Sequence, residues 1–250
     1  MTNKKEISAG IIIIGNEVLS GRTKDINTST LAKWLNKLGI EVKEVRIVPD
    51  DEIAIIHTVN FLRERFNYIF TTGGIGPTHD DITAKSISKA FKLDYGFHKE
   101  AFSILEKYYK PGEFNEGRQK MAKMPTTAKL ILNPTSGAPG FYVQNVFCLP
   151  GVPSILQSMI GGLNNILTGG DPILNKTINL RTVESEIAKS ITEIQKNNID
   201  VEIGSYPFFR AGKLGVSIVV RSPNKEKIDV CEAEILQFVK SKGIEIVEDV

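Results

Sequence analysis

The most informative stretch of this chain runs from Thr72 to Asp81, through Gly73, Gly74, Gly76, Thr78, His79 and Asp80. Glycines at three of four positions let a backbone come close to a ligand. A helical pattern follows, with Ile82, Ile87, Ala90 and Phe91 on its apolar side. The loop therefore feeds a helix N-terminus, whose open N–H groups and dipole suit an anion such as phosphate. It lacks both GK[ST] and G-x-G-x-x-G, so it is neither a P-loop nor a dinucleotide fingerprint. Asp80 and Asp81 would repel a phosphate unless a cation stood between them. Mg²⁺ is typically held by one or two carboxylates plus substrate phosphates. The competing reading is structural: an Asp at a helix start can cap it. Asp81 can cap, bind a metal, or do both.

Three other segments gather glycines and acids behind strand patterns: residues 15–21, residues 49–51 and residues 133–140. In an open parallel sheet such turns share the carboxyl edge, where ligands bind. Glu17, Ser20 and Asn27 are candidate ligand contacts from the first of these turns. Asp50 is the candidate third acid for a cation, and Ser136 a candidate from the last turn. Each has a plainer alternative. Glu17 can be a solvated loop acid, and Asp50 and Asp51 can be acids of a helix start. His79 is either a proton carrier or a loop histidine without a role. His57 and His98 fall in helical patterns and read as structural. Cys148 reads as core, and Trp34 as packing.

The elements that would position these residues alternate. Ile7 to Ile14 is β-branched and apolar, like a strand buried on both faces. Asn27 reads as an N-cap, Leu31, Leu35 and Leu38 as one helix face, and Gly39 as the stop. A strand over 40–48, a helix opened by Asp50 and Asp51, and a strand over 68–72 follow. Repeated β-α-β units imply a three-layer α/β fold with a mostly parallel sheet. Residues 100–109 and 115–123 read as helices, and 130–132 as a short strand. Residues 141–143 and 146–149 read as a hairpin, and a helix follows through Leu156, Met159 and Ile160. The turn at 168–172 divides the chain into domains over 1–168 and 169–250. The second has the order β-α-β-β-α-β, a small α+β unit of KH-like type.

Composition excludes several classes. Of 250 residues, 41% are hydrophobic and 24% charged, as in ordinary globular proteins. A formal net charge of +2 gives no ground for nucleic-acid binding. Two distant cysteines fit a reducing, cytoplasmic setting. The aliphatic run at Ile11 to Ile14 is too short for a bilayer, which takes about 20 residues. The amino terminus shows no signal-peptide pattern.

The segments GNEVLSGRTKDINT, TTGGIGPTHDDIT, NPTSGAPGF and LPGVPS, in that order, closely resemble the amino-terminal domain of the competence/damage-inducible protein A (CinA) family. That domain belongs to the molybdopterin-binding, molybdenum-cofactor-biosynthesis superfamily, and the resemblance covers about residues 7–167. The family's usual Gly-Asp-Glu reads Gly15-Asn16-Glu17 here, which removes a charge at Asn16. The resemblance implies a three-layer α/β fold and hydrolysis of a nucleotide pyrophosphate such as ADP-ribose, or FAD in a related domain. The alternatives are a molybdopterin-binding protein of molybdenum-cofactor biosynthesis and a non-catalytic nucleotide-binding module. Asp80 and Asp81 would be the catalytic acids and, with Asp50, would hold Mg²⁺, Mn²⁺ or Co²⁺. Glu17, Ser20, Asn27, Thr72, Gly73 and Gly74 would line the substrate pocket together with Gly76, Thr78, Ser136 and Gly151. The partner expected is a small nucleotide or pterin phosphate, with a homo-oligomer (dimer or trimer) as the assembly. Full-length family members carry a carboxy-terminal nicotinamide-nucleotide amidase domain. This chain stops near residue 250, so that activity is not expected of it.

Overall fold

A computed structural model describes residues 7–210 and 212–247; the first six residues of the amino terminus lie outside the described residues. The chain divides into two compact units, Met1–Gly170 and Asp171–Val250.

The first unit opens with β1 (Ile7–Ile14), α1 (Asn16–Leu19), α2 (Asn27–Lys37), β2 (Ile40–Val48), α3 (Glu52–Arg63) and β3 (Tyr68–Thr72). It continues with α4 (Thr83–Ala90), β4 (Tyr95–Phe97), α5 (Lys99–Tyr108), α6 (Glu116–Lys120), β5 (Lys123–Pro125) and β6 (Lys129–Ile131). It closes with β7 (Gly140–Val143), β8 (Val146–Leu149), α7 (Pro153–Ile160) and a 3₁₀ turn over Gly161–Leu163. Six strands form one sheet in the order β2-β1-β3-β8-β7-β6. β1, β2, β3 and β8 run parallel, while β7 is antiparallel to both of its neighbours.

The strand β1 shows why the sheet has helices on both sides. Successive side chains of a strand point to opposite faces. Ile11 and Ile13 pack with Leu31 and Leu35 of α2 and Leu156 and Met159 of α7. Ile12 and Ile14 pack with Ile55, Val59 and Leu62 of α3, Ile87 of α4 and Leu105 of α5. Both faces are therefore dry, and an unbroken isoleucine run is what such a strand requires. The three-layer α/β fold expected from the sequence is the one observed.

Local signals resolved differently in three places. Asn27 is the first residue of α2, not its cap. The Asp25 carboxylate takes the capping role, accepting from the N–H groups of Asn27 and Thr28 at 2.9 and 3.2 Å. Asp51, rather than the pair Asp50–Asp51, caps α3 by accepting from Ala54 N–H at 2.8 Å. The helix expected over 115–123 stops after Lys120, and Lys123–Pro125 instead pairs antiparallel with β4. A residue before proline is pushed toward extended backbone, and Met124, which precedes Pro125, is 1% exposed in the core.

The structural readings of the lone residues hold. His98 caps α5 through Nδ1, which accepts from Ala101 N–H at 3.3 Å, and His57 stacks on Phe61. Trp34 packs edge-on against Phe70.

The second unit comprises β9 (Leu174–Leu180), α8 (Glu184–Asn197), β10 (Glu202–Arg210), β11 (Lys213–Ser222), α9 (Lys225–Ser241) and β12 (Ile246–Val247). Its sheet is antiparallel in the order β10-β11-β9-β12. Ile187, Ile191 and Ile194 of α8 and Ile228, Cys231 and Ile235 of α9 cover one face of it. Among the described residues, no helix is long and apolar enough to cross a membrane.

Both cysteines are buried and free. Burial pushes the Cys148 thiol up to about 12 and the Cys231 thiol up to about 11. Only a thiolate reacts readily. A thiol reagent at pH 8 should therefore label neither residue in the native protein and both in denaturant. Stoichiometric labelling of the folded chain would contradict the burial described here.

Candidate functional site

The parallel strands carry their carboxyl ends to one edge of the sheet. β1 ends at Ile14 and leads to Glu17, β2 at Val48 leads to Asp50, β3 at Thr72 leads to the glycine loop, and β8 at Leu149 leads to Gly151. β6 points the same way and delivers the loop of Asn133 and Ser136. A cleft of about 610 Å³ opens there, of the size that takes a small molecule. Glu17, Asp50, Gly73, Gly74 and Gly76 line it, with Asp80, Asp81, Ser136 and Gly151. Among the described residues, no lysine or arginine lines it.

The glycine loop is shaped by close contacts. At Gly73, φ is +101°, and a Cβ there would stand 2.1 Å from the Ile14 carbonyl oxygen. At Gly74, φ is +68°, and a Cβ would stand 2.2 Å from Thr83 Oγ1. Thr83 ties the loop down, its hydroxyl donating to the Gly73 carbonyl and its N–H to the Gly74 carbonyl, both at 2.9 Å. The first N–H of α4 is thereby spent inside the loop rather than offered to an anion. The open donors lie earlier. No hydrogen bond among the described residues engages the N–H of Gly74, Ile75 or Gly76.

The two aspartates differ. Asp81 does not cap α4, whose N-cap is Ile82 and lacks a side-chain cap. Its Oδ2 turns back and accepts from Thr78 N–H at 2.7 Å and from the Thr78 hydroxyl. Thr78 thus lies off the cleft lining and acts as a clamp on Asp81. Lys120 in turn bonds the Thr78 carbonyl. Asp80 is exposed, and the nearby Thr78 hydroxyl, followed by its own backbone N–H, holds its carboxyl below the usual carboxylate value.

The expected three-acid set of Asp80, Asp81 and Asp50 is not assembled. Among the described residues, no three of His, Cys, Asp and Glu converge as a metal cage. Sheet order gives the reason. β1 lies between β2 and β3, so Asp50 stands two strand spacings, roughly 10 Å, from the loop of Asp80. Asp50 Oδ2 instead accepts from Asn16 N–H at 2.9 Å.

The remaining candidates separate into groups. Ser20 lies off the cleft, its hydroxyl donating to the Glu17 carbonyl at 3.2 Å. Asn27 and Thr72 sit behind the cleft wall, in a smaller space they share with Glu17 and Gly151. Ser136 Oγ accepts from Asn133 Nδ2 at 2.7 Å.

Sequence reasoning missed Asn133, Thr23 and Met121 as lining residues. Asn133 had a signal. An Asn that starts a turn can bond the backbone two and three residues on, as it does with Thr135 and Ser136 N–H at 3.0 and 3.1 Å. Met121 had none, since its segment read as helix.

Two measurements check this geometry. Gly73→Ala should destabilise the first unit by at least ~2 kcal/mol, through a backbone clash and a strained φ. Gly21→Ala, also at positive φ but with nothing within 4 Å, should cost only the left-handed strain, about 1–2 kcal/mol. Equal melting shifts would contradict the close approach at Gly73. By carboxyl-resolved NMR, Asp80 should titrate below an ordinary aspartate. A folded-state value lowered in this way keeps Asp80 ionised until the pH falls through it.

The unit that carries this edge is similar to known proteins. Residues 10–170 match the family described as "Probable molybdopterin binding domain", and residues 172–248 match "FAD synthase, middle domain". A protein of Archaeoglobus fulgidus is 32% identical over 226 residues, which span 90% of this chain and 96% of that one. A protein of Clostridium botulinum described as competence-damage inducible is 28% identical over 236 residues, 88% of this chain and 56% of its own length. The crystal structure of "the protein CinA with unknown function" from Thermoplasma acidophilum superposes with a TM-score of 0.61 at 30% identity, covering 65% of this chain and 99% of that one. The chain belongs to the family described as "Probable molybdopterin binding domain", as a CinA-like member of it.

Proposed function

We propose that the cleft binds a phosphorylated heterocyclic small molecule, a molybdopterin-type pterin phosphate first and a nucleotide second, through a bridging divalent cation. The observation that carries this reading is the lining itself. Glu17, Asp50, Asp80 and Asp81 line one cleft with the glycine loop, whose N–H groups at 74–76 are unbonded, and no lysine or arginine among the described residues joins them. Donors of that kind attract a phosphate, and acids of that number repel it unless a cation intervenes.

The donor set fits a hard cation. All four side chains offer carboxylate oxygen, the ligand type of Mg²⁺ and Mn²⁺. Asp80 and Asp81 are the pair placed to hold it, with ligand phosphates completing the shell. When bound, such an ion neutralises phosphate charge and polarises a phosphoryl oxygen. The chain's own part is positional. Thr78 orients Asp81, the loop N–H groups meet the phosphate oxygens, and Asn133 holds the Ser136 turn against the cleft.

Family membership favours binding of a pterin over the hydrolysis of ADP-ribose expected at the outset. Pyrophosphate hydrolysis is the second reading. Its support is the likeness of residues 172–248 to a domain of FAD synthase, an enzyme named for a dinucleotide product.

Calorimetry on the full chain tests both. A pterin diphosphate, ADP-ribose and FAD would each be titrated with 5 mM-range Mg²⁺ and with chelator, on the order of saturating for such sites. The pterin should bind at least about tenfold more tightly with Mg²⁺. Asp80→Asn should lose about tenfold of that affinity, on the scale of one charge-assisted contact, with an unchanged melting temperature. Affinity indifferent to chelator and to Asp80→Asn would remove the cation. Steady release of AMP would establish the hydrolase.

A further inference from the structure

β2 is an outermost strand of the first sheet. It is nine residues long, spans roughly 30 Å and contains no proline. Its inner side pairs with β1. Among the described residues, no strand pairs with its outer side. A long open edge is a template for another strand, and proteins usually blunt it with charges or a bulge. β2 has both, in an arrangement that blunting alone does not require.

The bulge sets the faces. Ala9 pairs with Val42 and Gly10 with Glu44, so Lys43 is the extra residue. Before it, Ile40 and Val42 lie on the α2 side of the sheet, with Ala9. After it, Val45 and Ile47 lie on that same side, paired with Ile11 and Ile13. The charged residues share the other side. Lys43 pairs with Glu41 at 2.7 Å, Arg46 pairs with Glu44 at 2.6 Å, and Arg46 lies over Phe61 of α3. The α2 side is left uncovered at the outer end of β2, where Val45 and Ile47 are 42% and 44% exposed.

The run Ile40-Glu41-Val42-Lys43-Glu44-Val45-Arg46-Ile47 complements itself when read backwards. A second copy can be laid antiparallel to it about a two-fold axis between Lys43 and Glu44. Ile40 then faces Ile47, Glu41 faces Arg46, Val42 faces Val45 and Lys43 faces Glu44. Every charge meets its opposite, and every aliphatic side chain meets another. In a regular strand this register fails. Residues an odd number apart point to opposite faces, whereas residues facing each other across an antiparallel pair share one. The extra residue at 43 cancels the odd step, so each of the four pairs falls on one face. A slip of one residue either way sets Lys43 or Glu44 against itself and Glu41 against an aliphatic side chain.

We propose that two copies of this chain associate through β2, antiparallel in this register, so that their sheets join into one. Main-chain hydrogen bonds and the aliphatic pairs hold the copies together. The charges choose the register, since exposed ion pairs add little strength. The contact is self-complementary and closes at two copies. The carboxyl edges of the two sheets then point in opposite directions, and each cleft stays whole within its own chain. The inference stands apart from what the cleft binds.

The test is sedimentation velocity of the full chain across a concentration series, with the wild type beside Glu41→Arg, Arg46→Glu and the double exchange. The wild type should be a dimer. Each single change sets like charges against each other twice per dimer and should weaken it by about tenfold or more. The double exchange should restore it. Within one chain that exchange puts like charges at 41 and 43 and at 44 and 46, so recovery can come only from across the axis. Amide hydrogen exchange of the wild type needs no substitution: protection over residues 41–47 should rise with the dimer fraction. A wild type that stays monomeric overturns the proposal and makes the bulge and charges a blunted edge. An oligomer of another size, one indifferent to both single changes, or one without added protection at 41–47 overturns it by placing the interface elsewhere. Loss of the dimer in the single changes without recovery in the double exchange overturns the register.

Discussion

Everything at the functional edge depends on how closely β3 leaves the sheet beside β1. Gly73 passes the Ile14 carbonyl at a distance that leaves no room for a Cβ. Its N–H reaches the other way, to Leu149 of β8, at 3.1 Å. One glycine thus joins the ends of three parallel strands. The loop that follows is held over the gap between them, and Thr83 fastens it from behind. With that crossing in place, the acids behind β1, β2 and β3 come to one edge without any contact among themselves. Their spacing is inherited from the sheet.

The layered fold could be read from the chain because its signals are redundant. The run Ile11 to Ile14, the helix faces of α2 and α3, and Gly39 at positive φ after α2 all point to the same answer. The site was legible at the level of segments. Glycines and acids at strand ends identified the loops that form the cleft, because parallel topology alone decides where those ends go. It was less legible at the level of single side chains. Whether Asp81 caps a helix or turns back onto Thr78 depends on the helix starting at Thr83 rather than one residue earlier, and sequence does not fix a helix start that closely. Asn27 reads along the chain as a cap, but the capping role falls to Asp25, two residues earlier. Asp50 looked like a partner of Asp80 because strand order, with β1 in the middle, is not visible along the chain.

Polar side chains do much of the tethering between loops in the first unit. Asn145, in the turn of the β7–β8 hairpin, donates to the carbonyls of Arg63 and Phe66 at 2.9 and 3.1 Å. It secures the end of α3 at the opposite, amino-terminal edge of β3, whose Ile69 N–H reaches the Asn145 carbonyl at 2.8 Å. Asn133 does comparable work at the ligand edge. Both replace what would otherwise be unpaired backbone groups in irregular segments, at a point where neither helix nor sheet can supply partners.

The acid lining of the cleft has a consequence for the folded state as a whole. On the reading proposed above, the acids of the cleft hold a cation and its ligand only in the folded chain, because unfolding separates the strand ends that bring them together. A ligand so held binds the native chain and not the unfolded one. Its concentration then enters the folding equilibrium directly, by mass action. Under that reading, the melting temperature of the first unit is not a fixed property of the sequence. It is a gauge of how full the cleft is.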